Sequence, residues 1–387
     1  MNSILYTSGN SFFLKTATGV DEYQSERIVS YSNTVKNIMM KNQWKTSGAG
    51  ARFMNTYNPE YDEDTDRRDV SINGVSVSGN EIIYTATMGE VSGVFRKVLE
   101  NKIAEGLVMS SRDMQIGKIT VYNGNCAASI WKNRERHIAI FDIETGAFRE
   151  LTEGEVLEDY PSYTNDGKSI LYASAGLALS HQGIPIGVGP YEIICYKIES
   201  NAMEELLASD KFDYIAPKED LDGNLLFIKR PYRGARNNSN ILIDIALFPV
   251  RIIRAILGLL NFFSIMFGGE SLRSGRSARD VKTKQRSEKD IFFDGNVINS
   301  QQVLKENQRS GEKFPGIIPR SWELIRMDKD GNQVCIKKGV MDYIICKNGD
   351  IIYSNGNAVI RLSADGNEQL IEKSSMANNI VEIVEPA

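Results

Sequence analysis

Residues that carry chemistry are scarce in this chain. Its 387 residues include two histidines and four cysteines. The cysteines, Cys126, Cys195, Cys335 and Cys346, show no C-x-x-C spacing, so the sequence writes neither a zinc site nor a dithiol redox pair. They fall in or beside expected strands and read as free, buried thiols of a reducing compartment. Positive charge is also short. Lys and Arg number 45 against 50 Asp and Glu, a net charge of −5, which argues against a general nucleic-acid binder.

Other chemistry is missing too. No G-x-S-x-G nucleophile elbow occurs. Ser47-Gly48-Ala49-Gly50 lacks the lysine of a phosphate loop. Asp62, Asp64 and Asp66 begin like a calcium loop, but Arg67 and Asn73 stand where an EF-hand requires Gly and Glu. His137 precedes an expected strand and reads as structural. No metal ion and no cofactor is expected. The N-terminus has no basic stretch leading into an apolar one. A cleaved secretion signal is therefore not expected, and the expected location is cytoplasmic.

What the chain does contain is a repeat. A strand signature recurs as Glu81-Ile82-Ile83-Tyr84, Ser169-Ile170-Leu171-Tyr172, Leu225-Leu226-Phe227-Ile228 and Asp350-Ile351-Ile352-Tyr353. Most copies follow a tight turn such as Asn123-Gly124 or Asp222-Gly223, where Asn-Gly and Asp-Gly supply positive φ. A second hairpin follows each copy, as in Ala139-Ile140-Phe141-Asp142 and Phe148-Arg149-Glu150-Leu151 around Glu144-Thr145-Gly146. Each copy is thus a four-stranded meander. Ser3-Ile4-Leu5-Tyr6 is the same signature without its preceding strand. Asn379-Ile380-Val381-Glu382-Ile383-Val384, at the other terminus, supplies the missing strand. A repeat split between the termini is how a circular array of sheets closes. The spacing predicts an all-β, six-bladed β-propeller occupying residues 1–387. Five blades lie between about 70 and 376, and a sixth is built from both ends.

The run Tyr160-Pro161-Ser162-Tyr163-Thr164-Asn165-Asp166-Gly167-Lys168-Ser169-Ile170-Leu171-Tyr172, with Ala139-Ile140-Phe141-Asp142-Ile143-Glu144-Thr145-Gly146, resembles the TolB-like six-bladed propeller family. The resemblance is strongest in blade 3 and the second hairpin of blade 2. It covers about two-thirds of the chain. It implies a fold and leaves activity open, because propellers host binding modules and enzymes alike.

Long segments gather on one face of such a propeller. They are residues 34–69 between blades 6 and 1, 174–190 within blade 3, and 230–320 within blade 4. Loops on a rigid scaffold are where function usually sits. Trp44, Arg52, His181, Tyr232, Arg233 and Arg236 belong to this face and form a possible ligand surface.

The largest insertion carries the strongest signal. Residues 241–267 are almost wholly apolar. Plotted at about 100° per residue, Asp244, Arg251, Arg254 and Asn261 share one narrow arc. The remaining surface includes Ile252, Ile256, Leu259, Leu260 and Phe263. A broad apolar face with a thin polar stripe suits a helix lying in a membrane interface or packed into a partner. A helix folded over the propeller and a re-entrant hairpin fit the same pattern. Arg273, Arg276, Arg279, Lys282 and Lys284 follow, and basic residues beside an apolar helix favour anionic lipid.

Two classes of function fit these features. One is a non-enzymatic interaction scaffold. Its insertion engages an anionic membrane surface, a protein partner, or both. The other is a propeller enzyme, a hydrolase or lyase acting on a peptide or sugar, or a small-ligand sensor, with its site at the channel mouth. No catalytic residue stands out for the second.

Overall fold

The computed structural model describes residues 3–46, 70–98, 105–180, 182, 185–232 and 290–383. Two compact units are present. One joins Met1–Tyr232 with Ser300–Ala387, and the other is Arg233–Asn299.

The first unit is built from antiparallel meanders. β1 (Ser3–Ser8), β2 (Ser11–Lys15) and β3 (Val20–Gln24) are followed by the helix α1 (Glu26–Thr46). The next meander is β4 (Val70–Ser78), β5 (Glu81–Met88), β6 (Val91–Val98) and β7 (Glu105–Ser111). β8 (Gln115–Tyr122), β9 (Asn125–Lys132), β10 (Glu135–Asp142) and β11 (Phe148–Glu150) form another. β12 (Val156–Tyr163), β13 (Ser169–Leu179), β15 (Glu192–Lys197) and β16 (Ala202–Leu207) follow, with β14 (Pro185–Val188) paired to the far end of β13. A single parallel bridge, Arg136 to Leu157, joins these last two meanders into one nine-stranded sheet.

β17 (Phe212–Glu219) and β18 (Leu225–Pro231) lead to the second unit, whose described part is the hairpin of β19 (Asp290–Phe293) and β20 (Asn296–Asn299). After the helix α2 (Ser300–Arg309), β21 (Glu323–Met327) and β22 (Gln333–Lys338) complete the β17–β18 sheet. β23 (Asp342–Ile345), β24 (Ile351–Ser354), β25 (Ala358–Leu362) and β26 (Glu368–Lys373) form the last complete meander. β27 (Asn378–Ile383) then pairs with β1, Leu5 opposite Val381 and Ser3 opposite Ile383, so the two termini share a sheet as the repeat predicts.

The signature strand is always second in its meander. Its residues are buried on both sides because neighbouring sheets cover both of its faces. Hence it reads as a continuous apolar run instead of an alternating one. Tyr6, Tyr84, Tyr172 and Tyr353 end four of these runs and are at most 1% exposed. Phe227 fills the corresponding place in β18. Their hydroxyls find partners: Tyr84 donates to Glu105 Oε1 at 2.6 Å and Tyr353 to Glu368 Oε1 at 2.9 Å. The β8–β9 turn has φ of 47° at Asn123 and 79° at Gly124, the two positive values that a type I′ hairpin needs.

The first strands of the meanders lie innermost. β4 packs against β27 and β8, β12 against β8 and β17, and β23 against β27. Tyr343 Oη donates to Ala216 O at 2.8 Å and ties β23 to β17. Most of these strands carry a bulge at a similar level: after Ile72, Ile116, Asp159 and Ile215. Close approach explains one of the glycines there. A Cβ on Gly74 would stand 2.8 Å from Gly117 O.

Two features depart from the sequence expectations. α1 fills the first part of the 34–69 segment, where no helix was read. Ser25 Oγ caps it by accepting from Ile28 N at 3.2 Å, and Ile28 alone drives its first turn into the core. Further along, Ile38 and Met40 are exposed, so no apolar stripe announces the helix. Cys335, read as buried, is exposed on the edge strand β22, while Cys126 and Cys346 are buried.

Candidate binding groove and channel

The bulged starts of β4, β8 and β12 lie at the end from which the links between meanders leave. An open groove of about 790 Å³ runs across them. Trp131 and Arg136 form its most distinctive wall. They are directly cross-strand partners on β9 and β10, either side of the Asn133-Arg134 turn. The Arg136 guanidinium lies over the Trp131 ring, 4.6 Å from its centroid. It also pairs with Asp159, whose Oδ1 accepts from Ser129 Oγ and from Tyr160 N, both at 2.8 Å. The bulge sets this last contact by holding Tyr160 at φ 58°. On the opposite wall Asn73 Nδ2 donates to Thr87 Oγ1 at 2.8 Å and to Ile116 O at 2.9 Å.

Lys118 links the groove to a narrower cavity of about 140 Å³ among the inner strands. Its Nζ donates to Asn379 Oδ1 at 2.7 Å. Deeper in, Lys218 Nζ donates to Tyr343 O. Burial pulls the Lys218 ammonium below the ordinary lysine value. Asp342 opposes this and Lys118 adds to it. The two channel lysines thus engage an amide oxygen and a backbone carbonyl.

Behind the groove, Glu158 is 4% exposed. Thr152 Oγ1 donates to it while accepting from Ile138 N at 2.9 Å. Burial outweighs those hydrogen bonds and pushes its carboxyl up to about 7. A second buried pair lies on β17 and β18, Arg230 Nε to Asp213 Oδ2 at 3.1 Å, with the guanidinium 4.9 Å from the Trp322 ring centroid. Among the described residues no three His, Cys, Asp or Glu side chains are placed to hold a metal ion. No described helix is long and apolar enough to cross a membrane.

Few of the residues singled out from sequence fall where the structure describes them. Tyr232 does: its hydroxyl donates to Val188 O and its N–H to Lys211 O, which ties the end of β18 to β14. Trp44 lies in the last turn of α1. Arg52, His181, Arg233 and Arg236 lie outside the described residues. So do Ile252, Ile256, Leu259, Leu260, Phe263, Arg273, Arg276, Arg279, Lys282 and Lys284. His137 sits within β10, 5% exposed, with Nε2 3.4 Å from Glu135. Sequence reasoning did not find the groove. The usable signal was the short Asn133-Arg134 turn, which places Trp131 opposite Arg136 once the hairpin is assumed.

No protein-family model matches the chain, and no curated protein matches it in sequence. Solved structures do. TolB from Acinetobacter baumannii superposes with a TM-score of 0.51 at 11% identity, over 98% of this chain and 66% of that one. A chain of a nidogen/laminin complex gives 0.51 at 6% identity, over the whole of both chains. A TolB protein from Agrobacterium tumefaciens gives 0.41 at 10% identity, over 81% of this chain and 89% of that one. This chain therefore has a TolB-like β-propeller fold. It spans just under two-thirds of the Acinetobacter protein.

Proposed function

We propose that the chain is a non-enzymatic protein-interaction scaffold, a cytoplasmic six-bladed propeller. Its 230–320 insertion attaches it to an anionic membrane surface or a membrane-associated partner. The observation that carries the scaffold reading is the groove. It is open and polar, and walled by an arginine stacked on a tryptophan, two residue types that dominate the energetics of protein interfaces. Two of its charged groups are already engaged, Arg136 with Asp159 and Lys118 with the Asn379 amide oxygen. That suits recognition better than proton transfer. The nidogen/laminin complex supports the idea that this fold serves protein binding.

The attachment reading rests on sequence. Burying Ile252, Ile256, Leu259, Leu260 and Phe263 contributes about 1.5–3 kcal/mol per fully buried side chain. Each nearby basic residue adds roughly 1 kcal/mol toward an anionic surface. Co-sedimentation with anionic vesicles tests it. Replacing Arg273, Arg276, Arg279, Lys282 and Lys284 with Gln is expected to weaken binding and flatten its salt dependence. Ile256→Asp with Phe263→Asp is expected to weaken it at every salt concentration. Wild-type protein that ignores vesicles but forms an oligomer, which the Asp changes dissolve, would assign the apolar face to protein association.

A further inference from the structure

The narrow channel cavity holds more positive than negative charge. Its lining includes Lys118, Lys218 and one carboxylate, Asp342. Asp342 Oδ1 accepts from Tyr343 N at 2.8 Å, and Oδ2 accepts from Ile380 N at 3.1 Å. Backbone N–H groups orient a carboxylate without neutralising it, so Asp342 keeps its whole charge. Two ammoniums against one carboxylate still leave the lining with one positive charge in excess.

Among the described residues, neither ammonium is paired with a carboxylate. Lys118 Nζ donates to Asn379 Oδ1 and Lys218 Nζ to Tyr343 O, and both acceptors are uncharged. An ammonium carries three donors, so each lysine has N–H groups beyond these contacts. Both residues are half-buried and line the cavity, which makes them reachable from it. Burial weakens the hold of Lys218 on its proton; Asp342 opposes this and Lys118 adds to it, which places the two ammoniums within each other's field. An ammonium poorly solvated and beside a second one is costly, and an anion between them offsets that cost. The hydroxyls of Thr120 and Ser162 line the same cavity and have no partner among the described residues.

We propose that the channel binds a single tetrahedral oxyanion, of the size of inorganic phosphate, between Lys118 and Lys218. Lysine serves such an anion as a point charge, with no demand for a planar partner. Four oxygens meet two ammoniums and the two hydroxyls together, which the two oxygens of a carboxylate do not. The cavity, about 140 Å³, lies below the roughly 300 Å³ at which pockets for drug-sized ligands begin, so the ligand is small. Lys118 borders both the groove and the cavity, and the groove is therefore the way in. Because Lys118, Lys218, Asp342 and Asn379 come from four separate meanders, the bound anion also stabilises the closed fold by mass action.

Calorimetric titration of the full chain at pH 7 tests this, with inorganic phosphate and acetate as probes in a chloride background of constant ionic strength. Wild-type protein is expected to bind phosphate saturably, one per chain, and to melt at a higher temperature as phosphate is added. Phosphate is expected to bind about tenfold more tightly than acetate, because it engages more charge-assisted donors. K118Q and K218Q are each expected to lose about tenfold or more in phosphate affinity, since each removes a hydrogen bond to a charged group. Lys118 borders the open groove, so K118Q preserves the comparison if K218Q does not fold. R149Q, which removes an exposed charge on the edge strand β11, is expected to bind as wild type does. Absence of saturable phosphate binding overturns the proposal. So does a folded lysine variant that binds like wild type, acetate binding as tight as phosphate, or an equal loss in R149Q.

Discussion

Glu158 shows how a single buried group couples this fold to pH. Its carboxyl is moved from 4.5 to about 7 by loss of water. Below about pH 4.5 the folded and unfolded chains both hold the proton, and the group costs nothing. Between about 4.5 and 7 the folded state holds more of it, so stability falls as pH rises. Above 7 the full penalty applies, about 3 kcal/mol at roughly 1.4 kcal/mol per tenfold change in proton affinity. Glu158→Gln keeps an acceptor for Thr152 and carries no charge. It is expected to raise the denaturation midpoint at pH 8 and leave it nearly unchanged at pH 4. Identical midpoints at pH 8 would mean that Glu158 is not desolvated.

At the scale of elements, β27 decides whether the array closes. Ile380 and Ile383 are buried against the first strands of the chain. Asn379 Nδ2 donates to Thr7 Oγ1 at 3.0 Å, and Thr7 Oγ1 donates to Asn378 O at the same distance. Removing residues 377–387 bares the edge of β1 and uncovers β23. Exposed edges invite pairing between chains. The truncated protein is expected to aggregate or to melt far below the full chain in a circular-dichroism scan. An unchanged melting temperature would show that β27 contributes no closure. The same scale explains what reading the sequence did not reveal. α1 lacks an apolar stripe, and its visible signal was only Ser25 at the cap with Glu26 in the first turn. The α2 segment is short and polar; Asn307, at 4% exposure, secures it by donating to Gly316 O and Ile318 O.

For the whole molecule, the question is what the inserted unit does for folding. The two compact units meet in sequence at Arg233 and Asn299. Residues beyond 299 belong with the propeller. Ile318 is 1% exposed, and Glu312 bridges to Lys337, which in turn reaches Glu368 at 2.6 Å. Replacing 233–299 with a Gly/Ser linker is therefore expected to leave a soluble protein with a near-native melting temperature. Extending the replacement to 319 removes the Asn307, Glu312 and Ile318 contacts. It is expected to cost several kcal/mol in a denaturant titration, since a core deletion and broken buried hydrogen bonds combine. If both shortened proteins unfold alike, the apolar segment belongs to the propeller's own core.

The strands, their turns and the split repeat were legible in the sequence because each is encoded locally. A run such as Glu81-Ile82-Ile83-Tyr84 after a tight turn specifies a doubly covered strand wherever it lies. Pairing of the C-terminal strand with the first strand followed from the missing strand alone, and the structure sets its register with Leu5 opposite Val381. The groove and the channel were decided only by tertiary structure. Lys118 meets Asn379, 261 residues away. Glu158 holds its proton up to about pH 7 because burial excludes water. Such properties arise from groups distant in the chain, so no local pattern of residue types records them.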